Sequence, residues 1–243
     1  MKGIILAGGT GTRLYPLTKL VNKHLLPVGK HPMISYGIER LRAAGIRELF
    51  IVTSKMSAGL YAEYIGSGSA FGVKVTFAIQ EEAGGIAQAL SLAEPYIVPG
   101  ERFVVLLGDN LFQDDLEPYV HAFQEQPSGE ARVLLKRVHD PRRYGVPVFD
   151  PDQPERILLI EEKPKQPQSN YCVTGIYMYD TDVFKHIAEI APSARGELEI
   201  TDVNNVYARR GKLSFDILQR WWTDAGTFDS LQEAAVRLWG VQP

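Results

Sequence analysis

The chain predicts an α/β fold, a mostly parallel sheet flanked by helices, and three observations carry that expectation. Short apolar runs rich in β-branched residues alternate with amphipathic stretches through the first half. Glycine-bearing turns follow two of those runs, at Gly8-Gly9 and Gly108. The 243 residues, 45% of them hydrophobic, suffice for one compact domain with a substantial core.

The elements follow in order. Residues 2–7 read as a strand, and 33–44 as a helix with Ile34, Ile38 and Leu41 on one face, ended by Gly45. A strand Leu49–Thr53, a helix over 57–65 and a strand Val73–Ile79 come next, then a helix from Ile86 to about Glu94 and a strand Phe103–Leu107. A helix around 116–126 has Asp114 or Asp115 at its start. After about residue 130 the punctuation becomes proline-rich, with strands at 131–138, 146–149, 157–161 and 173–179, a helix around 182–191 capped by Thr181 or Asp182, and a last helix over about 228–239. We expect one domain over 1–243, with about 1–130 as one half and about 131–230 as added sheet forming a pocket wall.

Composition excludes several function classes. The net charge of −3 comes without a basic cluster, so no nucleic-acid surface is expected. The single cysteine, Cys172, forbids an internal disulfide and fits a reducing, cytoplasmic setting. Four aliphatic residues before the first glycines are too few for a signal peptide or membrane span. The five histidines show no zinc-ligand spacing.

The most informative segment is Gly8-Gly9-Thr10-Gly11-Thr12-Arg13, which follows the run Ile4-Ile5-Leu6-Ala7 and precedes Lys23 and Leu25-Leu26-Pro27-Val28. A buried strand that delivers glycines presents backbone N–H groups that can wrap an anion. Arg13 and Lys23 can then neutralise more than one phosphate. The loop lacks a Walker ending, and Leu14 stands where a dinucleotide fingerprint has its third glycine. At the end of another strand, Leu107-Gly108-Asp109-Asn110 places a carboxylate in the crevice outside the sheet. Alone it could be a turn or cap; opposite a phosphate loop it suits a hard cation, Mg2+. Asp224, in Trp221-Trp222-Thr223-Asp224-Ala225-Gly226-Thr227, reads as a second carboxylate or as the cap of the last helix. Gln80 carries an amide able to meet the imide edge of a pyrimidine, and Gly85 lets backbone approach a base.

This constellation resembles the sugar nucleotidyltransferases, in particular their thymidylyltransferase branch, over nearly the whole chain. The resemblance implies a Rossmann-like, GT-A-like sheet and Mg2+-dependent joining of dTTP to α-D-glucose 1-phosphate with release of pyrophosphate. It places the nucleotide on Leu6, Gly8, Gly9, Gly11, Thr12, Arg13, Lys23, Gln80, Gly85 and Asp109, and Mg2+ on Asp109 and Asp224. It places the sugar phosphate on Asn110, Tyr144, Gly145, Glu162, Lys163, Val173, Thr174, Tyr177 and Arg195. Arg13, Lys23, Asp109 and Lys163 would be the catalytic set. Trp222 is expected near the sugar. Taken alone, Glu161-Glu162-Lys163 would read as a solvated charge cluster; its place and order within the family pattern reverse that reading.

The family further implies a homo-oligomer, dimer or tetramer. Many relatives continue past this chain's end into a regulatory nucleotide site, so weak or absent inhibition through such a site is expected. One departure concerns the base, because the commonest thymidylyltransferase pattern has an aspartate where this chain has Gly84. A UTP- or CTP-using enzyme of the same fold is therefore the nearer alternative, and a non-catalytic nucleotide-sugar sensor the farther one.

Overall fold

The computed structural model describes residues 1–241. Its strands are β1 (Lys2–Ala7), β2 (Pro27–Val28), β3 (His31–Pro32), β4 (Glu48–Ser54), β5 (Lys74–Gln80), β6 (Phe103–Leu107), β7 (Asn110–Phe112), β8 (Ala131–Arg137), β9 (Gly145–Phe149), β10 (Ile157–Glu162), β11 (Tyr171–Tyr179), β12 (Leu213–Ile217) and β13 (Trp222–Asp224). Its α-helices are α1 (Met33–Ala43), α2 (Ala58–Ile65), α3 (Ile86–Ser91), α4 (Glu117–Gln124), α5 (Asp182–Glu189), α6 (Ile200–Arg209) and α7 (Phe228–Arg237). Seven strands form the main sheet in the order β12-β8-β11-β6-β1-β4-β5. The expected α/β architecture, a mainly parallel sheet flanked by helices, is the one observed.

The chain divides into two compact units, each discontinuous in sequence. The first holds Met1–Ala83, Val105–Glu117 and the residues from Arg220 on; the second holds Gly84–Val104 and Pro118–Gln219. In the first unit, β1, β4 and β5 run parallel, with Ile5 opposite Ile51 and Ile51 opposite Phe77. Strands buried on both faces read as unbroken apolar runs, and Ile4, Ile5, Ile51 and Val52 are fully buried. At the sheet edge, β5 exposes Lys74, Thr76 and Ile79 instead. Two short ribbons complete the unit, β2 with β3 and β7 with β13. Here α7 packs Ala234 and Leu238 onto Val28, Met33, Tyr36, Leu111 and Ala225.

In the second unit, β8 pairs parallel with β12 and antiparallel with β11, while β9 and β10 form a separate hairpin. Helix α6 lies against β10, and α3 packs beside α5 and α6. Neither α6 nor β12 was expected from the sequence. Within α6, the adjacent Asn204 and Asn205 both serve the fold through their amides. Asn204 accepts from the Tyr179 hydroxyl at 2.6 Å, and Asn205 bonds both the N–H (2.7 Å) and the carbonyl (2.9 Å) of Ile160. The last helix is capped by Thr227, which exchanges bonds with Ser230, and not by Asp224. The Asp114 carboxylate accepts the Arg220 N–H at 2.7 Å.

Candidate active site

In the first unit, β1 ends against a loop that its own chemistry keeps open. Gly11 sits at φ +67°, a left-handed conformation that glycine adopts without strain, and starts the single 3-10 turn Thr12–Leu14. A side chain at Gly8 would collide with the Gln80 amide. Gly8 and Gln80 are therefore neighbours at the ends of β1 and β5. Leu6 is buried beneath the loop, whereas Thr12 and Arg13 are exposed.

Asn22 organises the loop from below. Its amide nitrogen donates to the carbonyls of Ala7 (3.1 Å) and Gly9 (3.5 Å). Its oxygen accepts from the His24 backbone N–H (3.0 Å) and the Tyr61 hydroxyl (3.0 Å), and lies 2.7 Å from His24 Nδ1. His24 lies against Gly108, where a Cβ would come within 2.8 Å of the ring. Burial, aided by the Lys23 charge, pushes the His24 imidazole down to about 3, so it is neutral here.

Lys23, next in sequence, pairs through Nζ with Asp109 Oδ2, and both side chains are almost wholly buried. Asp109 Oδ1 accepts from Asn110 Nδ2 at 3.1 Å. Burial opposes the charge on Asp109, but the Lys23 charge and these hydrogen bonds together hold its carboxyl below the ordinary range. Asp224 reaches the same place from β13, where it pairs in register with Asn110. Its Oδ1 accepts from the Gly226 N–H at 2.9 Å, and its Oδ2 lies 3.6 Å from Arg13 Nη2. A Cβ on Gly226 would meet both the guanidinium and the carboxylate. Burial and the neighbouring Asp109 charge push the Asp224 carboxyl up. Two carboxylates and two cations thus converge at the ends of β1, β6 and β13.

The second unit gathers its own set. Gly145 of β9 faces Glu162 of β10 in register. Glu162 accepts from the Thr201 hydroxyl at 2.7 Å and holds Lys163 Nζ at 2.9 Å. Lys163 has φ +46°, and among the described residues no other non-glycine has positive φ. Its N–H donates to the Tyr144 carbonyl at 3.0 Å, which extends the β9–β10 pairing by one residue. Such a conformation costs about 1 kcal/mol or more and tends to persist where function holds it.

Arg195 sits 2.8 Å and 3.0 Å from the two Glu199 oxygens and 3.3 Å from Glu197. Gly85, at φ +100°, starts α3, and a Cβ there would fall 2.5 Å from the Leu198 carbonyl oxygen. Leu198 donates to the Gly84 carbonyl at 2.8 Å and accepts from the Ala87 N–H at 3.1 Å. Gly85 is thus also required by its close packing against the Leu198 backbone. On β11, Val173 is half-buried, Thr174 gives its hydroxyl proton to the Leu134 carbonyl at 2.7 Å, and Tyr177 stacks on Tyr179 with centroids 6.1 Å apart.

Both units therefore build charged clusters from residues far apart in sequence, each cation held against a carboxylate. The sequence model of the nucleotidyl transferase family matches residues 2–239. The chain belongs to that family. The glucose-1-phosphate thymidylyltransferase of Neisseria gonorrhoeae is 43% identical over 244 residues, a match spanning 100% of this chain and 84% of the relative. That of Actinoplanes sp. is 44% identical over 237 residues, spanning 96% and 77%. A Bacillus anthracis structure described as a glucose-1-phosphate thymidylyltransferase in complex with a sucrose superposes with a TM-score of 0.94, at 52% identity, covering 100% of this chain and 97% of its own. A UDP-glucose pyrophosphorylase complexed with UDP-glucose shares the fold, with a TM-score of 0.86 at 24% identity.

Three residues of this nucleotidyltransferase escaped the sequence reading of the site: Asn22, His24 and Thr201. Asn22 alone left a trace, as a capping residue ahead of a short turn. Trp222 is buried, and its indole N–H donates to Asn110 Oδ1 at 2.8 Å.

Proposed function

We propose that this protein transfers the thymidylyl group of dTTP to α-D-glucose 1-phosphate and releases pyrophosphate. The observation that carries the reading is the pairing of Lys23 with Asp109 and of Arg13 with Asp224 beside the glycine loop. Thymidylyltransferase relatives aligned over nearly the whole chain supply the substrates.

A phosphate oxygen of the sugar phosphate attacks the α-phosphorus in line. The bond from that phosphorus to the bridging oxygen breaks, and its electron pair leaves with pyrophosphate. The nucleophile is already an anion, so no general base is required; the obstacle is repulsion between two polyanions. Arg13 and Lys23 offset the triphosphate charge, and Lys163 and Arg195 orient the sugar phosphate. Gln80 and Gly85 meet the base. Glu162, held by Thr201, and Gly145 meet the hexose, with Asn110, Tyr144, Val173, Thr174 and Tyr177 completing that set.

Asp109 and Asp224 fit Mg2+: both offer hard oxygens, and a bound dication would offset the burial and mutual repulsion that raise Asp224. Among the described residues no cluster of three or more His, Cys, Asp or Glu could hold a metal, so phosphates and water would supply the remaining ligands. Bound there, Mg2+ would neutralise phosphate charge.

The test is pyrophosphate release with glucose 1-phosphate and Mg2+, running dTTP, UTP, CTP, ATP and GTP in parallel. Turnover led by dTTP supports the reading. Turnover led by UTP or CTP replaces the nucleotide, and none with any of the five removes the enzyme assignment for this sugar phosphate. Among the described residues no helix is long and apolar enough to cross a membrane. The same reading carries a cytoplasmic homo-oligomer, dimer or tetramer, which light scattering on the purified protein checks.

A further inference from the structure

Trp222 donates its indole N–H to Asn110 Oδ1 at 2.8 Å, and Asn110 Nδ2 donates to Asp109 Oδ1 at 3.1 Å. An indole N–H can only donate, so the Asn110 atom facing it must be the oxygen. That choice turns the amide nitrogen toward Asp109. Were the amide reversed, its oxygen would oppose a carboxylate oxygen. Trp222 thus decides which way Asn110 faces, and Asn110 then holds one Asp109 oxygen while Lys23 holds the other. The two strands that carry these residues are paired, Trp222 opposite Phe112 and Asp224 opposite Asn110. The Ala225 N–H also donates to the Asp109 carbonyl at 2.9 Å. One short ribbon therefore fixes both carboxylates and the orientation of one of them.

We propose that Trp222 is a positioning residue that sets the Asp109 carboxylate, through Asn110, for the divalent cation of nucleotide binding. The inference rests on the metal-assisted transfer proposed above. A carboxylate free to rotate must be reoriented each time it binds metal. A carboxylate held by Asn110 needs no such step.

Trp221 provides the control. Its indole N–H is buried without a hydrogen-bond partner, and its ring packs under the Arg237 guanidinium at 5.5 Å. It has the same chemistry one residue away, with no path to Asp109.

The experiment measures dTTP affinity by equilibrium dialysis with Mn2+ and again with chelator, no sugar phosphate being present. The ratio of the two affinities isolates what the metal contributes. We expect Trp222→Phe to lower that ratio five- to tenfold while metal-free dTTP binding changes less than twofold. In an Asn110→Ala background the same substitution should lower the ratio less than twofold, because the relay is already cut. Trp221→Phe should leave it unchanged. If Trp222→Phe does not fold, 3-benzothienylalanine placed at position 222 keeps the shape, lacks the N–H and must give the same losses.

Equal losses in both backgrounds overturn the relay, as does a fall in metal-free binding as large as the fall with metal, or full retention of the ratio. Each of these leaves the proposed reaction standing. A wild-type ratio of one overturns the metal assignment, and the relay with it, before any variant is made.

Discussion

Lys23 and His24 are adjacent in sequence, yet one pairs with the Asp109 carboxylate while burial keeps the other neutral near pH 7. Lys23 faces Asp109, and removing it leaves a buried carboxylate without its cation. Lys23→Met should lower kcat/KM about 10²- to 10³-fold, as expected when one charge-stabilising group is lost; steady-state pyrophosphate release measures it. His24 makes a prediction about stability. Below about pH 6.5 the unfolded chain takes up a proton at this position, which the folded chain refuses down to about pH 3. Stability is therefore full above pH 6.5 and falls as pH drops through that window, by up to about 1.4 kcal/mol per pH unit. Urea unfolding at stepped pH measures the slope, and His24→Gln should flatten it while lowering stability at pH 7.5.

At the scale of elements, the β9–β10 hairpin depends on a helix that sequence patterning missed. Asn205 of α6 makes two bonds to Ile160, and Thr201 of the same helix holds Glu162. Asn205→Ala should cost about 1–2 kcal/mol and raise the KM for glucose 1-phosphate several-fold, with the KM for dTTP unchanged. The Thr227 cap serves α7 alone. Thr227→Ala should cost about 1 kcal/mol by thermal melt, with kcat within twofold of wild type.

These two helices also show where sequence reading succeeds and fails. Helix α7 has a polar start and an apolar face readable along a few residues. Helix α6 has Ile200, Val203 and Tyr207 at helical spacing, but its paired asparagines interrupt the apolar pattern, and the partners that explain them lie 25 and 45 residues away. The glycine loop and the two cations after it were visible as a local pattern. The Asn22 bonds to Ala7 and Gly9, and the Trp222 bond to Asn110, were not, since they join segments only the fold brings together.

For the whole molecule, the arrangement of charge has a measurable outcome. Arg13, Lys23, Lys163 and Arg195 each face an acid, so under the proposed function a substrate phosphate would displace a carboxylate or share the cation with it. A cation that stays paired keeps its orientation before ligand arrives, which lowers the ordering cost of binding. A nucleotide that binds only the folded chain raises stability by mass action, by about 2.7 kcal/mol at a hundred times its Kd. Melting curves with dTTP and Mg2+ should therefore rise by several degrees, and more than with ATP. An equal rise with both would remove base selection from Gln80 and Gly85.

The left-handed backbone at Lys163 sets two selective demands against each other. Glycine at that position would relax the turn and give a protein that melts higher, by about 1 kcal/mol of added stability. It would also delete the ammonium that Glu162 holds, and with it, on the function proposed above, the orientation of the sugar phosphate. Lys163→Gly should therefore be both hardier and slower than wild type. A screen for heat resistance alone would drift toward that enzyme, and a screen for turnover would drift back.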